Sequence, residues 1–113
     1  MEAKELKDII IKALDDKKGE DITVIDVKEK TTITEYMVIA SARSSTHVRS
    51  LCEAVTEAVE TAGGKALREE GVREGRWAVI DFGDVILHVF DDSSRDFYHL
   101  ERLWGDGEKI SNT

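Results

Sequence analysis

Trp77-Ala78-Val79-Ile80-Asp81-Phe82-Gly83-Asp84-Val85-Ile86-Leu87-His88-Val89-Phe90 alternates from end to end and is broken once, by Gly83-Asp84. A two-residue turn of this kind suits a type II′ hairpin, because glycine takes the positive φ required at the first central position. The register follows from that turn. Phe82 opposes Val85, Asp81 opposes Ile86, Ile80 opposes Leu87, Val79 opposes His88, Ala78 opposes Val89 and Trp77 opposes Phe90. Alternation then sorts the side chains by face. Ala78, Ile80, Phe82, Val85, Leu87 and Val89 form one wholly apolar line, predicted to be core. Trp77, Val79, Asp81, Ile86, His88 and Phe90 form the other, apolar with polar handles. That second face is either covered by a helix, with Asp81 and His88 at its rim, or it is a docking surface.

After the hairpin, Asp92, Ser93 and Ser94 are available as helix caps, and Phe97, Leu100 and Trp104 fall on one side of a predicted final helix. Asp96 near its start and Arg102 near its end suit the helix dipole. Six of the seven aromatic residues lie between Trp77 and Trp104. Aromatic side chains are costly in water and strong at recognition surfaces, so this segment holds core, binding face or both. Phe97 and Trp104 read as core; for Trp77 and Tyr98, which sit off the main apolar stripe, core and interface stand level.

Upstream, Leu6, Ile9, Ile10, Ala13 and Leu14 share one helical face, and Gly19 is expected to end that helix. Ile22 to Val27 reads as a strand, Lys28 to Thr32 as a polar turn, and Thr34 to Ala40 as a second strand. Ser44 or Ser45 can cap the next helix, whose stripe is Val48, Leu51, Cys52, Val55, Ala58, Val59 and Ala62. Gly63-Gly64 terminates it. Ala66 to Arg68 reads as a short edge strand, Glu69 to Gly75 as a loop, and Gly105 to Thr113 as a frayed polar end. The order α-β-β-α-(β)-β-β-α has too few strands for a doubly wound fold. It predicts an α/β domain: a small mixed β-sheet with helices packed mainly on one face.

At 113 residues the chain suits one domain, read as residues 1–106 followed by a polar tail over 107–113. No run approaches the length of a membrane span, and the charged start Met1 to Lys7 lacks the apolar region of a signal peptide. One cysteine, Cys52, excludes an internal disulfide and suits a reducing compartment, so a cytoplasmic protein is expected. Sixteen basic residues against 24 acidic ones give a net charge of −8. Asp81 to Glu108 alone holds eight acids against Arg95 and Arg102, a contribution of −6. Such a surface repels nucleic acid, which needs cations to neutralise phosphate, and favours a basic protein partner.

No catalytic set emerges. Asp81 and His88 lie one pair apart on the same face, a spacing that supports contact, while Asp84 belongs to the turn and is remote from His88. A structural or interface role is preferred to general-base chemistry. His88, Asp91, Asp92 and His99 sit on different elements without ligand spacing, so no metal and no cofactor is expected. Cys52 falls on a buried stripe and reads as a small hydrophobe. Ser41 to Thr46 joins a strand to a helix start where an anion can bind, but it lacks phosphate-cradling glycines, and capping is preferred.

The hairpin, together with Arg95-Asp96-Phe97-Tyr98-His99-Leu100-Glu101-Arg102-Leu103-Trp104, resembles the signature of the ribosomal silencing factor family, also called Iojap-related. Glu20 to Val27, Thr34 to Ala40, Ser45 to Ser50 and Glu70-Gly71 are similar to further family segments in the same order. The resemblance spans about Leu6 to Asp106. It implies a nucleotidyltransferase-like fold without the catalytic motif: Asp26 stands alone in its strand, and Ala42-Arg43 occupies the place of a phosphate loop. It implies a non-enzymatic repressor that binds the large ribosomal subunit through its protein numbered fourteen and blocks joining of the small subunit. A homodimer is also implied. The alternatives are a residual nucleotidyltransferase-type enzyme and a dimeric large-subunit assembly factor. On this reading Trp77, Asp81, His88, Tyr98, Glu101 and Trp104 form the partner surface. Trp77 and Tyr98 would be aromatic anchors, Asp81 and Glu101 would pair with basic residues, and Trp104 would join them or only brace the helix. Ala42, where the family usually has glycine, suggests an altered local backbone. His99, where it often has aspartate, would weaken the acidic patch and add pH sensitivity.

Overall fold

The first helix, α1, runs from Ala3 to Asp16 and buries Leu6, Ile10, Ala13 and Leu14, with Ile9 partly buried beside them. The chain is a computed structural model that describes residues 1–91 and 108–109. Gly19 is not the residue that reverses the chain after α1. Lys18 takes the left-handed conformation, with φ 65°, and the Gly19 N–H then donates to the Leu14 carbonyl at 2.7 Å.

Strand β1 (Glu20–Asp26) and strand β2 (Tyr36–Ala42) pair antiparallel. The second strand begins and ends two residues later than the sequence pattern suggests. Its start is set by the hairpin turn: the Asp84 carbonyl accepts from the N–H groups of Glu35 and Tyr36. Ala42 is fully buried at the end of β2 and has no positive φ, so alanine fits there without distortion.

Helix α2 (Ser45–Thr61) is capped by Ser44, whose Oγ accepts from the His47 N–H at 3.1 Å. Val48, Leu51, Cys52, Val55 and Val59 are buried as the stripe predicts. Ala62 lies past the helix end and is exposed. Edge strand β3 (Arg68–Glu70) lies two residues beyond the predicted Ala66–Arg68, so Glu69 and Glu70 belong to a strand and not to a loop.

Strands β4 (Trp77–Asp81) and β5 (Val85–Asp91) form the hairpin in the register read from its turn. Gly83 has φ +92°, and the Phe82 N–H donates to the Val85 carbonyl at 2.9 Å. Two residues read as polar tail, Glu108 and Lys109, form a short strand β6 against Thr23 and Val24. The described sheet has six strands in the order β3-β4-β5-β2-β1-β6. β2 and β5 run parallel and the other pairs antiparallel, which makes the sheet mixed.

Both described helices cover the same sheet face. There Ile22, Val38, Ala40, Ala78, Ile80, Val85, Leu87 and Val89, all with no exposure, meet the apolar stripes of α1 and α2. The opposite face has its own smaller cluster of Ile25, Val27, Met37, Ile39 and Phe90, with Trp77 packed against it. Among the described residues no helix is long and apolar enough to cross a membrane. The predicted final helix lies outside the described residues.

Candidate functional site: an aromatic corner of the second sheet face

The second face divides along its width. Toward β1 and β2 it is buried; toward β4 and the hairpin turn, Trp77, Val79, Asp81 and Ile86 are all partly exposed. Trp77 stands at this boundary. It opposes Phe90 in the ladder, with ring centroids 5.4 Å apart and planes 20° from parallel. His88, diagonal to Trp77 on the same face, completes the stack at 6.0 Å from Trp77 and 6.3 Å from Phe90. Ring pairs at such separations contribute about 0.5–1.5 kcal/mol beyond their buried area. Phe90 was readable as a member of this face from register alone, but its part in holding Trp77 depends on the stack.

His88 is not at the rim. It is 8 % exposed, and its Nδ1 accepts a hydrogen bond from the Trp77 indole N–H at 3.0 Å. An accepting Nδ1 leaves the proton of the neutral ring on Nε2. Burial penalises the imidazolium and pushes the His88 pKa down to about 4. The expected contact between Asp81 and His88 does not form. Asp81 Oδ1 instead accepts from the Gly83 N–H at 2.8 Å and braces the turn. The two residues share a face, as register demands, but each has a nearer partner along its own local geometry.

The backbone of Trp77 is fixed from the other side by the loop that precedes it. Gly71 has φ +76°, and a Cβ there would collide with the Trp77 carbonyl oxygen. Arg49 of α2 donates from Nη1 to the Arg73 carbonyl at 2.8 Å and ties this loop to the helix. Both residues fall in segments that resemble the family, Glu70-Gly71 and Ser45 to Ser50, but the sequence pattern assigns neither a part in holding Trp77. Tyr98, Glu101 and Trp104, the other members of the predicted surface, lie outside the described residues.

Several other described side chains capable of chemistry are engaged or shielded. The Cys52 thiol is buried, and loss of solvation, followed by the nearby Glu69 charge, pushes its pKa up to about 12. Asp26 in β1 accepts from the Lys28 N–H at 3.0 Å and pairs with its ammonium at 3.3 Å. That backbone hydrogen bond is the main reason the Asp26 carboxyl lies below its usual value. In the Ser41–Thr46 segment, the Arg43 N–H donates to His47 Nδ1 at 3.0 Å and its Nε to Glu20 at 2.8 Å. These bonds, with the Ser44 cap, use the loop for local structure. Among the described residues no group of three His, Cys, Asp or Glu side chains is arranged to hold a metal ion.

Fold and site together define a small mixed α/β domain that carries an aromatic plate at one corner of its sheet. A family model described as "Ribosomal silencing factor during starvation" matches residues 1–113. The chain belongs to the ribosomal silencing factor family. It is 37 % identical over 111 residues to a ribosomal silencing factor of Chromobacterium violaceum, covering 98 % of this chain and 90 % of that protein. It is 34 % identical over 106 residues to the corresponding factor of Bacillus subtilis, covering 94 % of this chain and 90 % of that one. A chloroplastic Iojap protein of Arabidopsis thaliana is 32 % identical over 101 residues, covering 89 % of this chain and 42 % of its own length. A crystal structure from Chromobacterium violaceum superposes with a TM-score of 0.92 at 35 % identity, covering all of this chain and 93 % of that one.

Proposed function

We propose that this protein is a steric repressor of translation. It docks on the large ribosomal subunit through the protein numbered fourteen there and prevents the small subunit from joining. Family membership supports the ribosome as target. The observation that carries the docking face is the partly exposed Trp77 corner. A pre-organised indole lies there at one end of β4, and Asp81 lies on the same face at the other end, on a chain whose net charge is −8. An aromatic anchor with an acid further along the same face suits a basic protein, and little direct contact with RNA is needed. On this reading Trp77 is the anchor and Asp81 the charged contact; Tyr98, Glu101 and Trp104 extend the surface. The protein works in the cytoplasm, without cofactor or catalysis, and self-association into a homodimer is part of the same proposal. A nucleotidyltransferase-like framework is compatible with a non-enzymatic role, because Asp26 is committed to Lys28 and Arg43 to Glu20.

The test is sedimentation. Purified protein is mixed with isolated bacterial large subunits, small subunits are added, and the mixture is resolved on a sucrose gradient. Co-migration with the large subunit and loss of the joined ribosome are expected. Full assembly of joined ribosomes at saturating protein would contradict the proposal.

A further inference from the structure

The buried His88 does not fit the role of a partner contact, yet it touches the residue that does. Trp77 and His88 belong to adjacent antiparallel strands and lie diagonally on one face. A diagonal pair of this kind is within reach of long aromatic side chains. The indole N–H meets His88 Nδ1 at 3.0 Å, and the two rings are stacked, with planes 28° apart. Phe90 lies almost parallel to His88, with planes 9° apart, and backs both rings. An apolar residue in place of His88 would preserve packing but would leave the indole N–H without that acceptor. The indole would then lose one directed restraint on its side-chain torsions. We propose that His88 is a positioning residue: its Nδ1 fixes the orientation in which Trp77 meets the partner, and it makes no partner contact itself.

This inference rests on the docking role proposed for Trp77. Its physical content is that a ligand surface held in its bound orientation loses less freedom on binding than one that must be ordered. Burial keeps the imidazole neutral at ordinary pH, so the acceptor is available throughout the range in which a ribosome functions. Asp81 shares this face, and its carboxylate is turned to Gly83 and not to the ring.

The full-length chain, labelled with nitrogen-15, is compared with His88→Asn and His88→Phe. Asparagine can place an amide oxygen near the Nδ1 position, whereas phenylalanine keeps the stack and removes the acceptor. The readouts are the scalar coupling between the Trp77 indole nitrogen and His88 Nδ1 in the wild type, hydrogen exchange of the indole N–H in all three proteins, and affinity for isolated large subunits. The wild type is expected to show the coupling. His88→Phe is expected to lose indole protection and roughly fivefold in affinity, the weight of one ordinary hydrogen bond. His88→Asn should retain most of both. In a Trp77→Phe background His88→Phe should cause no further loss of affinity, because its effect passes through the indole.

His88→Leu replaces His88→Phe in the same comparison if the latter does not fold. Wild-type affinity in the folded acceptor-less variant overturns the proposal, as does an undiminished loss in the Trp77→Phe background. Wild-type protein that shows the coupling but does not bind large subunits contradicts the docking role, and the positioning role with it. Absence of the coupling alongside normal binding contradicts only the positioning role.

Discussion

The two faces of the sheet are built from the same strands and solve different problems. The helix-covered face is mostly aliphatic, with Phe82 at the hairpin turn, and Leu87, Ile80, Val38 and Val89 have no exposure. Its stability comes from area removed from water and depends on shape, not on any one polar contact. The second face mixes aliphatic residues with Trp77, His88 and Phe90, and it passes from buried to partly exposed within the width of the hairpin. There, orientation is set by a directed hydrogen bond and by stacked rings. A face that only holds the fold together needs no such devices; one that presents a side chain in a fixed pose does.

Substitutions should separate the two roles. The largest expected effect is on the helix-covered side: Leu87→Ala should lower unfolding free energy by about 2–5 kcal/mol, measured by urea denaturation. Large-subunit affinity of the folded fraction should stay close to that of the wild type. Acid should act through the second face. Because the folded state holds His88 at about 4 against an ordinary value of 6.5, the unfolded chain binds the proton more readily. Stability from this group is therefore complete above pH 6.5 and falls as pH drops toward 4, by roughly 3 kcal/mol. The urea midpoint measured across that window should show this decline, and His88→Phe should lack it.

A smaller change is expected for Trp77→Ala. It should weaken large-subunit binding by about 2 kcal/mol, near thirtyfold, in a titration by sedimentation or fluorescence anisotropy. A folded variant with wild-type affinity removes Trp77 from the surface. The smallest effect concerns Cys52. With its thiol buried and its pKa near 12, the native protein should not react with a thiol-specific reagent at neutral pH, and labelling should begin only as the chain unfolds.

Much of this architecture was legible in the chain. The Gly83-Asp84 turn dictated the whole hairpin register, because one fixed turn sets every later pair. The stripes of α1 and α2 identified the helix-covered core for the same reason, since local periodicity and burial agree there. Other features depended on distant partners. β3 has no apolar pattern, all three of its residues being exposed, and its limits are set only by pairing with β4. The parallel pairing of β2 with β5 and the antiparallel pairing of β6 with β1 join segments far apart in sequence. The candidate site was readable in membership but not in role. Register put Trp77, Asp81, His88 and Phe90 on one face. It could not say that His88 would be buried, nor that Asp81 would turn to its own Gly83 and leave the imidazole to Trp77.

The central claim is that the partly exposed corner of the second face meets the ribosome. Photo-crosslinking tests it most directly. A benzophenone amino acid is placed at Ile86 on that corner and, in a separate protein, at the exposed Glu57 of α2 on the opposite side. Each is irradiated with isolated large subunits, and the products are identified by mass spectrometry. A crosslink from Ile86 to the protein numbered fourteen, with none from Glu57, is the predicted result. Crosslinks to that protein from Glu57 and not from Ile86 would contradict the account.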